Sequence, residues 1–334
     1  MKYRMLLMVV LGLLGGAAVV QAEPIVIRFS HVVAPDAPKG KAAEFFKARA
    51  EALTGGRVRV EVHPNSTLYK DREEMQALQL GAVQMLAPSL AKFSVLGISE
   101  FEVFDLPYIF DDAAALAKVT GGPIGRRLLD SLESRGIKGL AFWDNGFKSF
   151  SANAPIRRPE DLAGMRMRIQ PSKVIEAQML ALGAVPHMMA FSEAYQALRI
   201  GIVDGTENPH SNLYTQRMHE VQKYVTVTDH GYLGYAVITN KRFWDGLPWS
   251  VRRQLERAVR EATDYANRVA REENARALEH IRAAGTTDII ALDEAGKEAF
   301  KRALLPVHEA MAERIGAELI HAIYRETGFD PDGH

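Results

Sequence analysis

From Pro248 to Ala284 the residues Val251, Leu255, Val259, Ala262, Ala266, Val269, Ala277 and Ile281 keep the three-and-four spacing of one helix face, and the glycine that ends it is Gly285. At about 1.5 Å per residue, a continuous helix there is on the order of 50 Å long. That is too long for one small domain. The segment therefore either bridges two domains or bends near Glu272-Glu273-Asn274, where the apolar stripe is interrupted.

The start of the chain leads us to expect export. Lys2 and Arg4 precede an apolar run from Met5 to Val20, followed by Val20-Gln21-Ala22, the pattern of a secretory signal peptide with cleavage near Ala22. An uncleaved anchor is the alternative, weakened by Gly12, Gly15 and Gly16. Cleavage removes two basic residues and no acidic ones, turning 41 bases against 41 acids into 39 against 41. Such a balance gives no general attraction to nucleic acid or anionic lipid, so any anion binding is local. There is no cysteine, which excludes disulfides, thiolate nucleophiles and cysteine-ligated metals and suits a bacterial periplasm.

The mature chain opens with strand signals at Ile25–Phe29 and Val58–Val62, separated by a helical stretch, Ala42–Leu53, closed by Gly55-Gly56. A helix over Arg72–Leu80 and a strand over Ala82–Leu86 continue this β-α-β pattern into an α/β fold with a parallel sheet. Phe101–Phe110, the most aromatic run, is expected to be core, with Pro107 opposing a regular helix. A helix over Ile124–Arg135 and a strand over Lys138–Trp143 precede Asp144-Asn145-Gly146-Phe147-Lys148, read as a turn. Helix Ser192–Ile200 should be capped by Ser192, and the Ile202–Pro209 segment should deliver Asn208 to a loop. The paired acids Asp111-Asp112 and Glu73-Glu74 read as solvated helix starts. Strands at Lys223–Val227 and Tyr232–Asn240, the latter with Leu233, Tyr235, Val237 and Thr239 on one side, return the chain to the first domain. The expected division is 23–145 with about 232–272 as one domain, and 146–231 with about 273–330 as the other, joined by several crossings and able to hinge.

Catalytic constellations are missing: there is no Gly-x-Ser-x-Gly, His-Glu-x-x-His, phosphate-binding or dinucleotide-binding glycine loop, and the ten histidines are scattered. Neither a cofactor nor a metal is expected. What stands out is Gly164-Met165-Arg166-Met167-Arg168-Ile169-Gln170-Pro171-Ser172, whose alternation puts Arg166, Arg168 and Gln170 on one side of a short strand that leads to a helix capped by Ser172. Either arginine can be a ligand contact or a solvated charge on an edge strand; periodicity does not choose. With Lys148, Asn208, Ser89 and Lys39 near other strand ends, the pattern fits binding of a small carboxylate without turnover. An exported enzyme acting on such acids is the rival reading.

Six ordered motifs carry a family likeness over nearly the whole mature chain: Ser30–Asp36 with Pro38–Lys41, Phe101–Pro107, Trp143–Lys148, Met167–Ser172, Met189–Glu193 and Val203–Pro209. Together they resemble the DctP family of solute-binding proteins, which serve TRAP (tripartite ATP-independent periplasmic) transporters. The resemblance implies a monomeric periplasmic receptor of two α/β domains, a type II-like binding protein with a long helix across both. It implies as partners a carboxylate ligand and the small and large membrane subunits of a permease. It gives Arg168 the salt bridge to the ligand carboxylate and makes Arg166 the bystander, with Asn208 as a second contact and Phe191 in the pocket wall. Lys148, where sialic-acid receptors of the family carry arginine, resembles the C4-dicarboxylate branch (succinate, fumarate or malate); a sugar acid or aromatic acid is the alternative. Ser89, Lys92, Gln170, His31, Lys39, Tyr232 and Tyr235 fall where the pocket is expected. Thr206, where glutamine is common, is a minor departure.

Overall fold

The computed structural model describes residues 23–331; the leader, 1–22, and its cleavage near Ala22 lie outside the described residues. Nine strands form one mixed sheet: β1 (Ile25–Ser30), β2 (Val58–His63), β3 (Met85–Leu86), β4 (Ile137–Ala152), β5 (Arg166–Ile169), β6 (Val185–Met188), β7 (Gly205–Asn208), β8 (Tyr224–Asn240) and β9 (Asp288–Ala291). Their order is β2-β1-β3-β8-β4-β7-β5-β6, with β9 on β8. The opening β-α-β unit is as the pattern predicts, and its helix Pro38–Thr54 starts on a proline and ends at Gly55 with φ +60°.

The two lobes are strung on β4 and β8, which run antiparallel for most of their length. One end of β8 takes the first lobe, through the pairing of Thr239 and Ile238 with Met85 and Leu86. The far end of β4 takes the second, pairing Ser149–Ala152 with β7. The turn expected at Asp144–Lys148 is therefore part of an unbroken strand. An Asn-Gly pair signals positive φ, but here Gly146, at φ +137°, serves a β-bulge between Asp144 and Gly146 rather than a reversal. Tyr224–Asn240 is likewise one strand where the sequence showed two.

The helix Trp249–Ala284 is continuous over 36 residues. Val251, Leu255, Val259, Ala262 and Ala266 pack with Phe29, Phe46 and Trp143 of the first lobe, while Ile281 packs with Phe191, Leu213 and Val225 of the second. Where its apolar stripe breaks, Asn274 takes over. Its Nδ2 donates to Asn145 O at 2.5 Å and Ala270 O at 2.7 Å, and its Oδ1 accepts from Ser211 N at 2.9 Å. The polar interruption is thus where the helix grips the backbone of both lobes, so no bend is required. A Cβ on Gly146 would lie 2.6 Å from Asn274 Nδ2. Gly146→Ala is expected to cost about 1–3 kcal/mol, read as a lowered thermal midpoint; an unchanged midpoint would show that this crossing is slack.

Phe101–Phe110 is core as expected, with Phe101 and Phe104 packed on Phe93 and Phe142. Residues 306–323 pack into this same cluster through Val307, Ile315, Leu319, Ile320 and Ile323, although the division expected from sequence counted them with the other lobe. The helix Phe191–Arg199 starts one residue before Ser192, with Ala190 as its N-cap, so Ser192 is not the cap.

Candidate functional site

The carboxyl ends of the strands and the middle of β4 and β8 converge on a cavity between the lobes. It is lined by Val32, Val33, Lys39, Asp71, Ser89, Lys92, Lys148, Arg168, Gln170, Phe191, Glu207, Asn208, Asn212, Leu233 and Tyr235, with a volume of about 430 Å³ counting all space between these atoms. Val32, Val33 and Ala37 from the first lobe pack on Phe191, Ala194 and Ala197 from the second, so the lips are closed.

Alternation on β5 places Arg166 and Arg168 on one face, and sheet position separates them. Arg166, at the strand start, is exposed and forked onto Asp204 at 2.6 and 3.0 Å. Arg168 is only 3% exposed. Its Nε and Nη2 both donate to Met189 O, at 3.2 and 2.9 Å, and its guanidinium lies 5.5 Å from the Phe191 ring centre. Two of five donors are thus used to fix the fork, leaving the Nη1 end free to meet an anion. Ser172 caps the following helix, accepting from Ile175 N at 3.2 Å and donating to Asp105 at 2.9 Å. Burial lowers the Arg168 pKa, opposed by Asp71 and Glu207.

Asn208 closes β7 rather than sitting in a loop. Its Nδ2 donates to Thr206 Oγ1 at 3.3 Å, and its Oδ1 accepts from Asn212 at 3.4 Å. Lys148 is 1% exposed, and its Nζ forms an ion pair at 2.6 Å with Glu207 Oε2, without hydrogen-bond alignment. Gly231, opposite Lys148 across the strands, leaves room for it: a Cβ there would come within 3.0 Å of Lys148 Cε. Lys92 is clasped by Asp71 and by Glu74, the latter at 2.5 Å. Glu74 is therefore a buried partner, not the solvated helix start its sequence neighbourhood predicts. Burial works to lower the Lys92 pKa, yet Asp71 and Glu74 raise it overall. Asp71 also reaches across the cleft, accepting from Phe191 N at 2.6 Å, and despite burial Lys92 holds its carboxyl down at about 2.

Two predicted residues are not on this cavity. Tyr232 faces the other side of β8, where its hydroxyl donates to Asp144 Oδ1 at 2.8 Å beside a separate cavity with Phe147 and Arg271. Strand alternation already carried the signal, since it groups Leu233 with Tyr235 and puts Tyr232 opposite. His31 is buried and does not line the cavity; burial and Lys39 push its imidazole down to about 3, so it is neutral. The sequence reading missed Val32, Val33, Asp71, Glu207, Asn212 and Leu233. Among the described residues, no group of His, Asp or Glu could hold a metal ion, and no helix is long and apolar enough to cross a membrane.

A two-lobed α/β fold closed on a cationic, enclosed cavity defines a small-anion binding protein. The chain belongs to the bacterial extracellular solute-binding proteins of family 7 (DctP), matched over residues 29–315. It is 64% identical over 306 residues to the C4-dicarboxylate-binding periplasmic protein DctP of Rhodobacter capsulatus, covering 92% of each chain. A TRAP periplasmic solute-binding protein of Sulfurospirillum deleyianum, solved with bound succinate, superposes with TM-score 0.86 at 43% identity, covering 90% of this chain and 98% of that one. One from Pseudomonas aeruginosa with bound L-malate gives TM-score 0.84 at 44% identity, covering 86% and 100%.

Proposed function

We propose that this chain is the exported receptor of a TRAP transporter, capturing a C4-dicarboxylate such as succinate, fumarate or malate between its lobes and passing it to the small and large membrane subunits of a permease. The observation that carries this reading is Arg168: a guanidinium buried at the cleft, fixed by Met189 O, with no carboxylate of the described residues in ion-pair contact. Leaving such a charge buried is costly, and a ligand carboxylate supplies the missing partner. The relatives that hold succinate and L-malate support the choice of acid. Asn208, Gln170, Ser89 and Lys148 would add hydrogen bonds, and Phe191 an apolar wall.

A thermal-shift panel tests this. Succinate, fumarate and malate should each raise the midpoint saturably, by the equivalent of about 2.7 kcal/mol at 100 times Kd, while galactonate and benzoate leave it unchanged. Proton NMR of the recovered acid should show it unconverted. Consumption of the acid would replace the receptor with an enzyme, and a shift with galactonate alone would replace the ligand class.

A further inference from the structure

The charges of the cavity do not pair evenly. Lys39, Lys92, Lys148 and Arg168 line it. Lys92 is held by Asp71 and Glu74, and Lys148 by Glu207. Lys39 and Arg168 have no carboxylate in ion-pair contact among the described residues. Lys39 is 2% exposed, and its Nζ donates to Ala87 O at 2.9 Å and lies 3.8 Å from the centre of the Tyr235 ring. It also occupies the first turn of the helix Pro38–Thr54, the positive end of the helix dipole and the wrong place for a cation. A buried ammonium so placed, with one hydrogen bond to a carbonyl and donors to spare, has no carboxylate in contact; Glu74 and Asp71, which clasp Lys92, act on it only from beyond ion-pair distance.

We infer that Lys39 receives the second carboxylate of the ligand, and that it, rather than Lys148, sets the preference for dicarboxylates. This rests on reading the cavity as an organic-acid site in which Arg168 takes the first carboxylate. Sheet order supports the pairing of roles. Lys39 follows β1 in the first lobe, Arg168 lies on β5 in the second, and Lys148 sits between them on β4 with its charge already balanced. A diacid held by both unpaired cations ties the two lobes together; a monoacid held by Arg168 does not.

A proton is linked to this contact. Burial, helped by Lys92 and opposed by Glu74 and Asp71, lowers the Lys39 ammonium to about 7. The other titratable groups around it, neutral His31 and the Tyr235 phenol raised by burial, add no negative charge near neutral pH. An arriving carboxylate raises the Lys39 pKa above its free value. Affinity is therefore full below the free value and falls as pH rises through it, by up to about tenfold per pH unit. Asp105, raised by burial to about 7 near Lys148, would give a slope of the same sign, so variants must separate the two.

The test is calorimetric titration with succinate and with succinamate, its monoamide of equal length, at about pH 6.5 and about pH 8.5. Lys39→Met should weaken succinate by roughly 100-fold and succinamate by less than about threefold, and should flatten the pH dependence for succinate. Asp105→Asn should retain that slope. Because Lys39→Met removes an unpaired buried charge, the free variant should melt no lower than the parent. Equal weakening of both ligands, or of neither, overturns the assignment. Should the variant fail to fold, titration of Asp105→Asn in buffers of different ionisation enthalpy decides: net proton uptake with succinate and none with succinamate at the higher pH supports the inference, and zero uptake with succinate overturns it. Failure of both ligands to bind the unaltered protein would remove the organic-acid reading itself.

Discussion

Arg168→Lys is expected to weaken succinate binding by about 100-fold or more, while Arg166→Lys changes it by less than about twofold. The two residues share a strand face and differ in what already holds them. Arg166 is spent on Asp204 at the surface, where an exposed ion pair contributes little. Arg168 is buried, its fork fixed by two hydrogen bonds to Met189 O, with the remaining donors facing the cavity. A lysine keeps the charge but loses both the anchoring to Met189 and the paired donors. Calorimetry on the two variants checks this, and equal losses would return Arg168 to the status of a structural cation.

Glu207→Gln should lower the thermal midpoint of the free protein by roughly 5–15 °C, the effect of about 3–5 kcal/mol for stripping one partner from a buried ion pair. Lys148 Nζ is 2.6 Å from Glu207, both side chains are 1% exposed, and His230 Nε2 lies 3.4 Å away on the same oxygen. Burial works to raise the Glu207 carboxyl, but Lys148 and His230 together hold it below the ordinary glutamate range. A depressed carboxyl contributes stability that is present above the unfolded pKa and is lost as pH falls through the folded one, so the deficit of the variant should shrink in acid. The double variant Glu207→Leu with Lys148→Met should recover much of the midpoint, because an apolar pair carries no stranded charge. An unchanged midpoint in Glu207→Gln would mean that Lys148 is free, and the division of roles between Lys148 and Lys39 would fail.

Much of this architecture was legible in local patterns. The stripe Val251–Ile281 foretold the long helix, and the alternation Met165–Ile169 with Ser172 foretold β5 and its capped helix. The charge partners were not legible, because their pairing is made by tertiary approach. Glu74 beside Glu73 reads as solvent-facing, yet Lys92 folds over it; Glu207 in a Gly-Thr-Glu-Asn-Pro segment reads as a turn, yet β7 lies against β4 and brings it to Lys148. Asp144–Lys148 failed for another reason: one local signal, a glycine at positive φ, serves both a turn and a bulge, and only the pairing of the 16-residue β4 with β8 decides which. Those missed acids change the meaning of the cations that the sequence did reveal. Lys148, read as the second anchor, is balanced, and Lys39 stands unpaired.

The most direct measurement is a crystal structure of the mature chain with succinate. It should show one carboxylate on the outer nitrogens of the Arg168 fork, with Met189 O still bound behind, and the other within hydrogen-bond distance of Lys39 Nζ. Succinate seated away from Arg168, with that guanidinium bonded to Met189 O alone, would contradict the central claim.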